Sequence, residues 1–310
     1  MAKFIKYSIL FALGIGLVIS IGLMLPNNNA IRSVDYSIIA KHKNLQNAKS
    51  PKLILTGGSN VLFGFNSKII SDNLHIPVIN HSIHAGYGLK YIIEDVIPFA
   101  KAGDIIVLSP EYSHFIGTNY LGKEPLLFSL TAKPENLKLI SINQIFNVAE
   151  FIPKFSFDRM KSFINNLVKG SIAELDYSKD YGEFSINEFG DHYTHWNKKP
   201  TELKIYNFNG EVNIDVIRFL EEKNQELKNK GVKLIISYPS LCLSTYSLNE
   251  ATINNIHKHL LSSSLSVIDT PLDYSFKDSL FYDSSYHLTG AGVIKRSVKL
   301  STQLNAKIND

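Results

Sequence analysis

The chain has 310 residues, 45% of them hydrophobic and 19% charged, which excludes wholesale disorder and leaves enough apolar material for one large α/β domain with attachments. Its formal net charge is +4, from 32 Lys and Arg against 28 Asp and Glu, with no dense basic block between aromatics, so nucleic acid is not an expected partner. One cysteine, Cys242, excludes a disulfide framework, a CxxC metal site and a redox pair within one chain.

Mean hydropathy is close to zero, high for a soluble enzyme. The N-terminus accounts for much of it. Tyr7 to Ile31 carry no charge, and Ser8 to Leu25 (SILFALGIGLVISIGLML) are almost wholly apolar. At ~1.5 Å per residue such a run crosses a hydrocarbon core of ~30 Å. Lys3 and Lys6 precede it, which favours a cytoplasmic N-terminus and an extracytoplasmic remainder. A cleaved signal peptide and a buried helix are the alternatives. The segment Met24-Leu25-Pro26-Asn27-Asn28-Asn29-Ala30 matches a small-x-small cleavage site poorly, so residues 1–30 are expected to be an uncleaved single-pass anchor. Residues 31–50 are polar and mixed, a stalk with a short lead-in helix.

Residues 51–310 alternate strand and helix. Lys52 to Thr56 form a short β-rich run ending at Gly57-Gly58, followed by helical spacing from Ser67 to Leu74. Pro77 to Asn80 are a second strand, Leu89 to Ala100 a helix disturbed by Pro98, and Asp104 to Leu108 a third strand closed by Pro110. Val212 to Lys230 are a helix with early acids and late lysines, ended by Gly231. Val232 to Tyr238 are a fourth strand, Asn249 to Leu261 a helix, Leu265 to Ile268 a fifth strand and Gly292 to Leu304 a last helix. Such alternation predicts a doubly wound α/β/α sandwich around a parallel sheet. Residues 111–211 interrupt it with irregular helical runs and a loop rich in Tyr, Gly and Asp (Asp176 to Asn197, with Tyr177, Tyr181, Tyr193 and Trp196). They are expected to be an insertion over the carboxyl edge of the sheet.

Ligands of open α/β sheets bind beyond the carboxyl ends of the strands. After the first strand stands Thr56-Gly57-Gly58-Ser59-Asn60, where Ser59 is either a nucleophile or a helix N-cap. A phosphate loop ranks lower, because neither the Gly-Lys-Ser/Thr ending nor GxGxxG spacing is present. After the second strand, Asn80 to Gly88 offer the Gly86 amide to an oxyanion, and His81 and His84 as bases or, more weakly, as metal ligands. After the third strand, Glu111 and Tyr112 are either pocket liners or turn residues. The segment from Phe281 to Gly292 (FYDSSYHLTGAG) sets Asp283 near His287 among aromatics, with Tyr286 between them. A carboxylate beside a histidine fixes its tautomer, as a general base requires; a capping loop with an incidental histidine is the alternative.

Taken together, these blocks resemble the SGNH (GDSL-like) hydrolase superfamily over about residues 50–118 and 232–304, and FYDSSYHLTGAG is similar to a membrane-anchored branch associated with acylation of cell-envelope polysaccharides. The resemblance implies Ser59 as nucleophile, Asp283 as orienting acid and His287 as general base. It also implies an oxyanion hole from the amides of Ser59 and Gly86. The first block reads GGSN where the family has GDS, the GxND asparagine is missing, and the Asp–His spacing is one residue longer than DxxH. Asn60 is the expected substitute for the missing oxyanion donor; loss of one such donor lowers rates by ~10²–10³. Glu111, Tyr112 and Tyr286 are expected to bind substrate. No cofactor and no metal is expected. The function implied is a periplasmic or cell-surface esterase or O-acyltransferase acting on an acylated polysaccharide, with a membrane-bound acyltransferase as partner. A non-catalytic glycan-binding or assembly subunit is the alternative, and a lipase-like activity ranks third.

Overall fold

The computed structural model describes residues 1–26, 34, 37–169 and 181–309; most of the stalk before residue 37, and Tyr177 in the expected loop, lie outside them. Helix α1 (Ala2–Met24) is 23 residues long, about 35 Å at 1.5 Å per residue, and is long and apolar enough to span a membrane. It stands almost clear of the rest of the chain, with Gly22 its buried residue. Helix α2 (Ser37–Asn47) packs Ile38 and Leu45 into the domain.

The central sheet contains β1 (Leu53–Gly57), β2 (Val78–Asn80), β3 (Ile105–Ser109), β4 (Lys233–Ile236) and β6 (Ser266–Val267) in the order β2-β1-β3-β4-β6, with every pairing parallel. Its strands are mostly apolar because both faces are covered, with polar residues such as Asn80, Ser109 and Lys233 at strand ends. Leu53, Leu55, Ile105, Val107 and Ile235 meet Ile70 of α4 (Ser67–Leu74) and Leu300 and Leu304 of α11 (Gly290–Asn309). Their neighbours Ile54, Ile106, Leu108, Leu234 and Ile236 join the other core, with α5 (Leu89–Val96), α9 (Ile214–Asn229) and α10 (Leu243–Leu261). The period of two thus sorts each strand's residues between two helical layers.

Local chemistry sets the helix ends. Asn66 caps α4 through a bond from the Ile69 amide, and Asn213 caps α9 through one from Asp215. Pro98 ends α5 as expected: the chain tightens into a 3₁₀ turn at Ile97–Phe99. Helix α10 begins six residues before the expected Asn249, because the Ser- and Thr-containing turn Leu243 to Leu248 continues the helix. A two-residue pair, β5 (Leu241–Cys242) with β7 (Ser275–Phe276), lies outside the sheet.

Between β3 and α9 the alternation stops. This stretch holds the one-turn segments around Tyr112 and Asn119, then α6 (Glu124–Ala132), α7 (Ile142–Val148) and α8 (Ile152–Lys169). Irregular runs in the sequence are therefore defined helices, from single turns to the 18-residue α8. The remaining short helix, α3 (Ser59–Leu62), directly follows β1.

Candidate active site

The chain steps outward from β1 to β2, then crosses back to β3 on the other side, so the strand order reverses between β1 and β3. At that switch point the carboxyl ends open a crevice. There a cavity of about 470 Å³ is lined by Ser59, Gly86, Glu111, Tyr206, Tyr286 and His287 among others. That volume suits a small ligand. Tyr181 and Tyr206, from the segment between β3 and α9, form aromatic wall.

Gly58 lets the turn after β1 pass close to its neighbours: a Cβ there would lie 2.7 Å from the Ala85 Cβ and 2.8 Å from Glu111 Oε1. Ser59 then opens α3, and its amide is one that the helix cannot pair internally. The Ser59 hydroxyl donates to Glu111 Oε1 at 3.2 Å, and the Asn60 amide donates to the same oxygen at 3.3 Å. Glu111 is itself fixed by a capping box with His114: its side chain accepts from the His114 amide, while His114 Nδ1 accepts from the Glu111 amide at 3.2 Å. His114 Nε2 donates to the Ala85 carbonyl at 2.9 Å, which sets its tautomer; burial pushes its pKa down and keeps the ring neutral.

Asp283 and His287 meet as expected of their spacing, with His287 Nδ1 2.8 Å from Asp283 Oδ1. The Tyr181 hydroxyl donates to Asp283 Oδ2 and stands 3.3 Å from His287 Nδ1. Burial raises the Asp283 carboxyl, but the bonds from His287 and Tyr181 outweigh it and hold the pKa below the usual carboxylate range. The imidazole lies flat on Phe63, with ring centroids 4.1 Å apart and an interplanar angle of 11°. His192 covers the other side of Phe63 at 4.0 Å and 25°. His195 Nε2 donates to the Leu288 carbonyl at 2.9 Å, so its Nδ1 accepts the proton of His192 Nδ1 at 2.8 Å. Burial, then the nearby His287, push the pKa of His195 down to about 4. This stacked layer of Phe63, His192 and His195 was not anticipated from the sequence. His-x-x-His within an aromatic loop was the available signal.

Ser59 and His287 thus line one cavity, but among the described residues no hydrogen bond joins them, and the serine faces Glu111 instead. The Gly86 amide, expected in an oxyanion hole, donates to His84 Nδ1 at 2.8 Å. Two expectations need correction. The Asn60 side chain is not a free oxyanion donor: it is fully buried, its Nδ2 donates to the Ser109 carbonyl at 3.1 Å, and its Oδ1 accepts from Ser109 Oγ and Arg296 Nη2, each at 3.2 Å. Tyr112 is not a pocket liner but a core residue, 1% exposed, against Phe208 and Tyr238. Tyr286 does line the cavity, beside Tyr206.

Arg296 is a second element missed in the sequence. It reaches from α11 under the site, fully buried, and donates to the Asn60 carbonyl at 2.6 Å and the Tyr238 carbonyl at 3.1 Å, over the Phe65 ring. Burial pushes its pKa down to about 9, which leaves it cationic at neutral pH. It ties the turn after β1 to the ends of β3 and β4. His81 lies apart from this cavity. It bonds Asp95 Oδ2 through Nε2 at 2.9 Å, while His42 Nε2 bonds Asp95 Oδ1 at 2.8 Å. Among the described residues these three could hold a metal ion, but the separations are those of hydrogen bonds.

No family model matches the sequence, and no curated protein matches it. Among solved structures, the chain is similar to an acetyl xylan esterase (Est2A) from the rumen bacterium Butyrivibrio proteoclasticus, at 13% identity and a TM-score of 0.35, over 84% of this chain and 65% of that one. The chain therefore spans a little under two thirds of that esterase's length. It is also similar to the C-terminal domain of glucosamine-fructose-6-phosphate aminotransferase from Francisella tularensis, at 10% identity and a TM-score of 0.15, over 87% of this chain and 91% of that one. Likenesses this slight do not place the chain in either family.

Proposed function

We propose that the protein is a membrane-anchored serine esterase or O-acyltransferase of the SGNH type, facing outward from the cytoplasmic membrane and acting on acyl esters of a cell-envelope glycan. The observation that carries this reading is that Ser59 and His287, the latter paired with Asp283, line one cavity at the switch point of a parallel sheet. Nδ1 of His287 faces Asp283, so Nε2 is the nitrogen available as base.

In this mechanism the Ser59 hydroxyl first swings from Glu111 to His287. Its oxygen bonds to the ester carbonyl carbon as its proton passes to Nε2. The amides of Ser59 and Gly86 stabilise the tetrahedral oxyanion once His84 has moved aside. The carbon–oxygen bond to the leaving alcohol breaks, and that alcohol takes the proton from His287. Water or a sugar hydroxyl then gives its proton to His287 and attacks the acyl-enzyme, which returns the proton and frees Ser59. Tyr206 offers the apolar face on which a sugar ring stacks, with the buried Tyr286 packed behind it, and Glu111 accepts a hydrogen bond from a hydroxyl of the acceptor.

A second reading is favoured by one observation. The Glu111 carboxylate occupies the Asn60 amide and the Ser59 hydroxyl, where an oxyanion would be disfavoured. On that reading the chain is a non-catalytic glycan-binding subunit, a partner of a membrane acyltransferase. Turnover of a chromogenic acetyl ester separates the two: a reactive serine gives turnover that Ser59→Ala abolishes with the fold intact, whereas a binding subunit gives none, or none that depends on Ser59.

A further inference from the structure

Helix α1 leaves the domain through a specific joint. Residues 1–18 are exposed, and packing begins at Ile19. Ser156 of α8 donates to the Ile19 carbonyl at 2.8 Å. Gly22 allows the two helices to touch, since a Cβ there would lie 2.0 Å from Ser156 Oγ. Arg159 donates to the Gly22 carbonyl at 3.3 Å and to the Leu25 carbonyl, taking up acceptors that the last turn of α1 leaves open. The outer end of the apolar helix is thereby fixed to α8, and so is the part of the domain nearest any membrane that α1 crosses.

The same part of the domain carries apolar residues on its outside. Along α8, Phe157, Ile164 and Val168 recur at i, i+7 and i+11, one stripe about 17 Å long at 1.5 Å per residue. All three are exposed, Phe157 at 65% and Val168 at 81%, as is Leu167 beside them. The opposite side of α8 holds the buried Phe155, Ser156 and Arg159, so the exposed stripe is not the core face of the helix. On α7, Ile142, Ile145 and Phe146 stand exposed at i, i+3 and i+4, while Gln144 and Val148 face inward. Two neighbouring helices with apolar outer faces are unusual on a domain surrounded by water. Of the charges on α8, Lys154 is paired with Asp158 at 2.7 Å and Arg159 is buried against α1, so the exposed stripe itself is apolar.

We propose that the outer faces of α7 and α8 lie in the interfacial layer of the bilayer that α1 crosses. Phe146, Phe157, Ile164 and Val168 enter the headgroup and acyl boundary, and the domain is held at a fixed tilt over the membrane. The occupant is lipid, argued from continuity: the helix that carries the stripe, α8, is the one joined to the outer end of α1 at Gly22 and Ser156, and α7 immediately precedes it in the chain. The inference rests on the anchoring part of the proposed function and not on its chemistry. Buried apolar area drives it.

The test uses the full chain in phosphatidylcholine nanodiscs. Because Cys242 is buried, single cysteines placed by Phe146→Cys, Phe157→Cys and Val168→Cys take an environment-sensitive fluorophore selectively. Leu13→Cys in α1 is the positive control and Leu261→Cys, exposed at the end of α10, the negative one. The expected result is quenching by spin-labelled lipid at the three domain sites, at least about twofold stronger than at Leu261, with blue-shifted emission. Quenching no stronger than at Leu261, with Leu13 quenched, overturns the proposal. So does a blue shift without lipid quenching, which would mean that a protein covers the face. An unquenched Leu13 overturns the anchor itself, and the proposal with it.

Discussion

The two halves of the candidate site differ in how ready they are. The half around His287 is assembled: Nδ1 is bonded to Asp283, Tyr181 closes on both, and Phe63 and His192 stack beneath the ring. The half around Ser59 is turned elsewhere, with the serine hydroxyl and the Asn60 amide on Glu111 and the Gly86 amide on His84. A carboxylate beside the serine is what separates them. Among the described residues Ser59 has only its bond to Glu111 to give up, whereas dismantling the Asp283–His287 pair requires moving a stack of rings. On the proposed reading the base is preorganised, and the nucleophile and oxyanion hole form when substrate displaces the Glu111 and His84 contacts.

The largest expected effect is on the assembled half. Asp283→Asn removes the charge that orients His287 and stabilises its imidazolium, and lowers kcat for ester turnover by about 10²–10⁴ with KM little changed. A rise in KM with kcat unchanged would assign Asp283 to binding. Next is the supporting layer. His195 titrates at about 4 when folded against about 6.5 unfolded, so the unfolded chain binds more protons between these values. Its contribution, up to about 3 kcal/mol, is fully present above pH 6.5 and is lost as pH falls towards 4. Thermal unfolding across that window tests this, and His195→Gln flattens the acid limb. An unchanged acid limb contradicts it.

The smaller effects belong to the Ser59 half. Glu111→Gln removes the negative charge next to the developing oxyanion and frees Ser59 to turn, so the rate of phosphonate labelling at Ser59 rises about fivefold to tenfold. A fall would make Glu111 a contributor to serine reactivity. Tyr181→Phe removes one bond to Asp283 and slows turnover by about threefold to tenfold, in line with about 1 kcal/mol for a hydrogen bond of this kind. This should appear in kcat and in the acid limb of the pH–rate profile.

Much of this architecture was legible in the sequence because strands buried on both faces are continuous apolar runs. Leu53 to Leu55, Ile105 to Leu108 and Leu234 to Ile236 stand out for that reason, and Gly and Pro mark their ends. The place of Ser59 at the carboxyl edge was legible for a related reason, since it directly follows β1, and the Asp283–His287 contact was legible from their spacing. Side-chain direction was not. Asn60 adjoins Ser59 in sequence, yet Arg296, over two hundred residues later, draws it inward. Tyr112 follows Glu111, yet it turns into the core. Phe63, His192 and His287 form one stack from three distant segments, a contact that periodicity does not record. The apolar outer faces of α7 and α8 are not legible in the sequence because their inward sides carry polar residues (Gln144, Ser156 and Arg159), so periodicity does not tell which face is buried.

The account turns on whether Ser59 is a nucleophile activated by His287. The most direct measurement treats the intact protein with a fluorophosphonate and locates the adduct by mass spectrometry. The account predicts one stoichiometric adduct, on Ser59, absent from Ser59→Ala and greatly slowed in His287→Ala. A folded protein that forms no adduct, or forms it equally fast without His287, would contradict the account and leave the cavity a binding site.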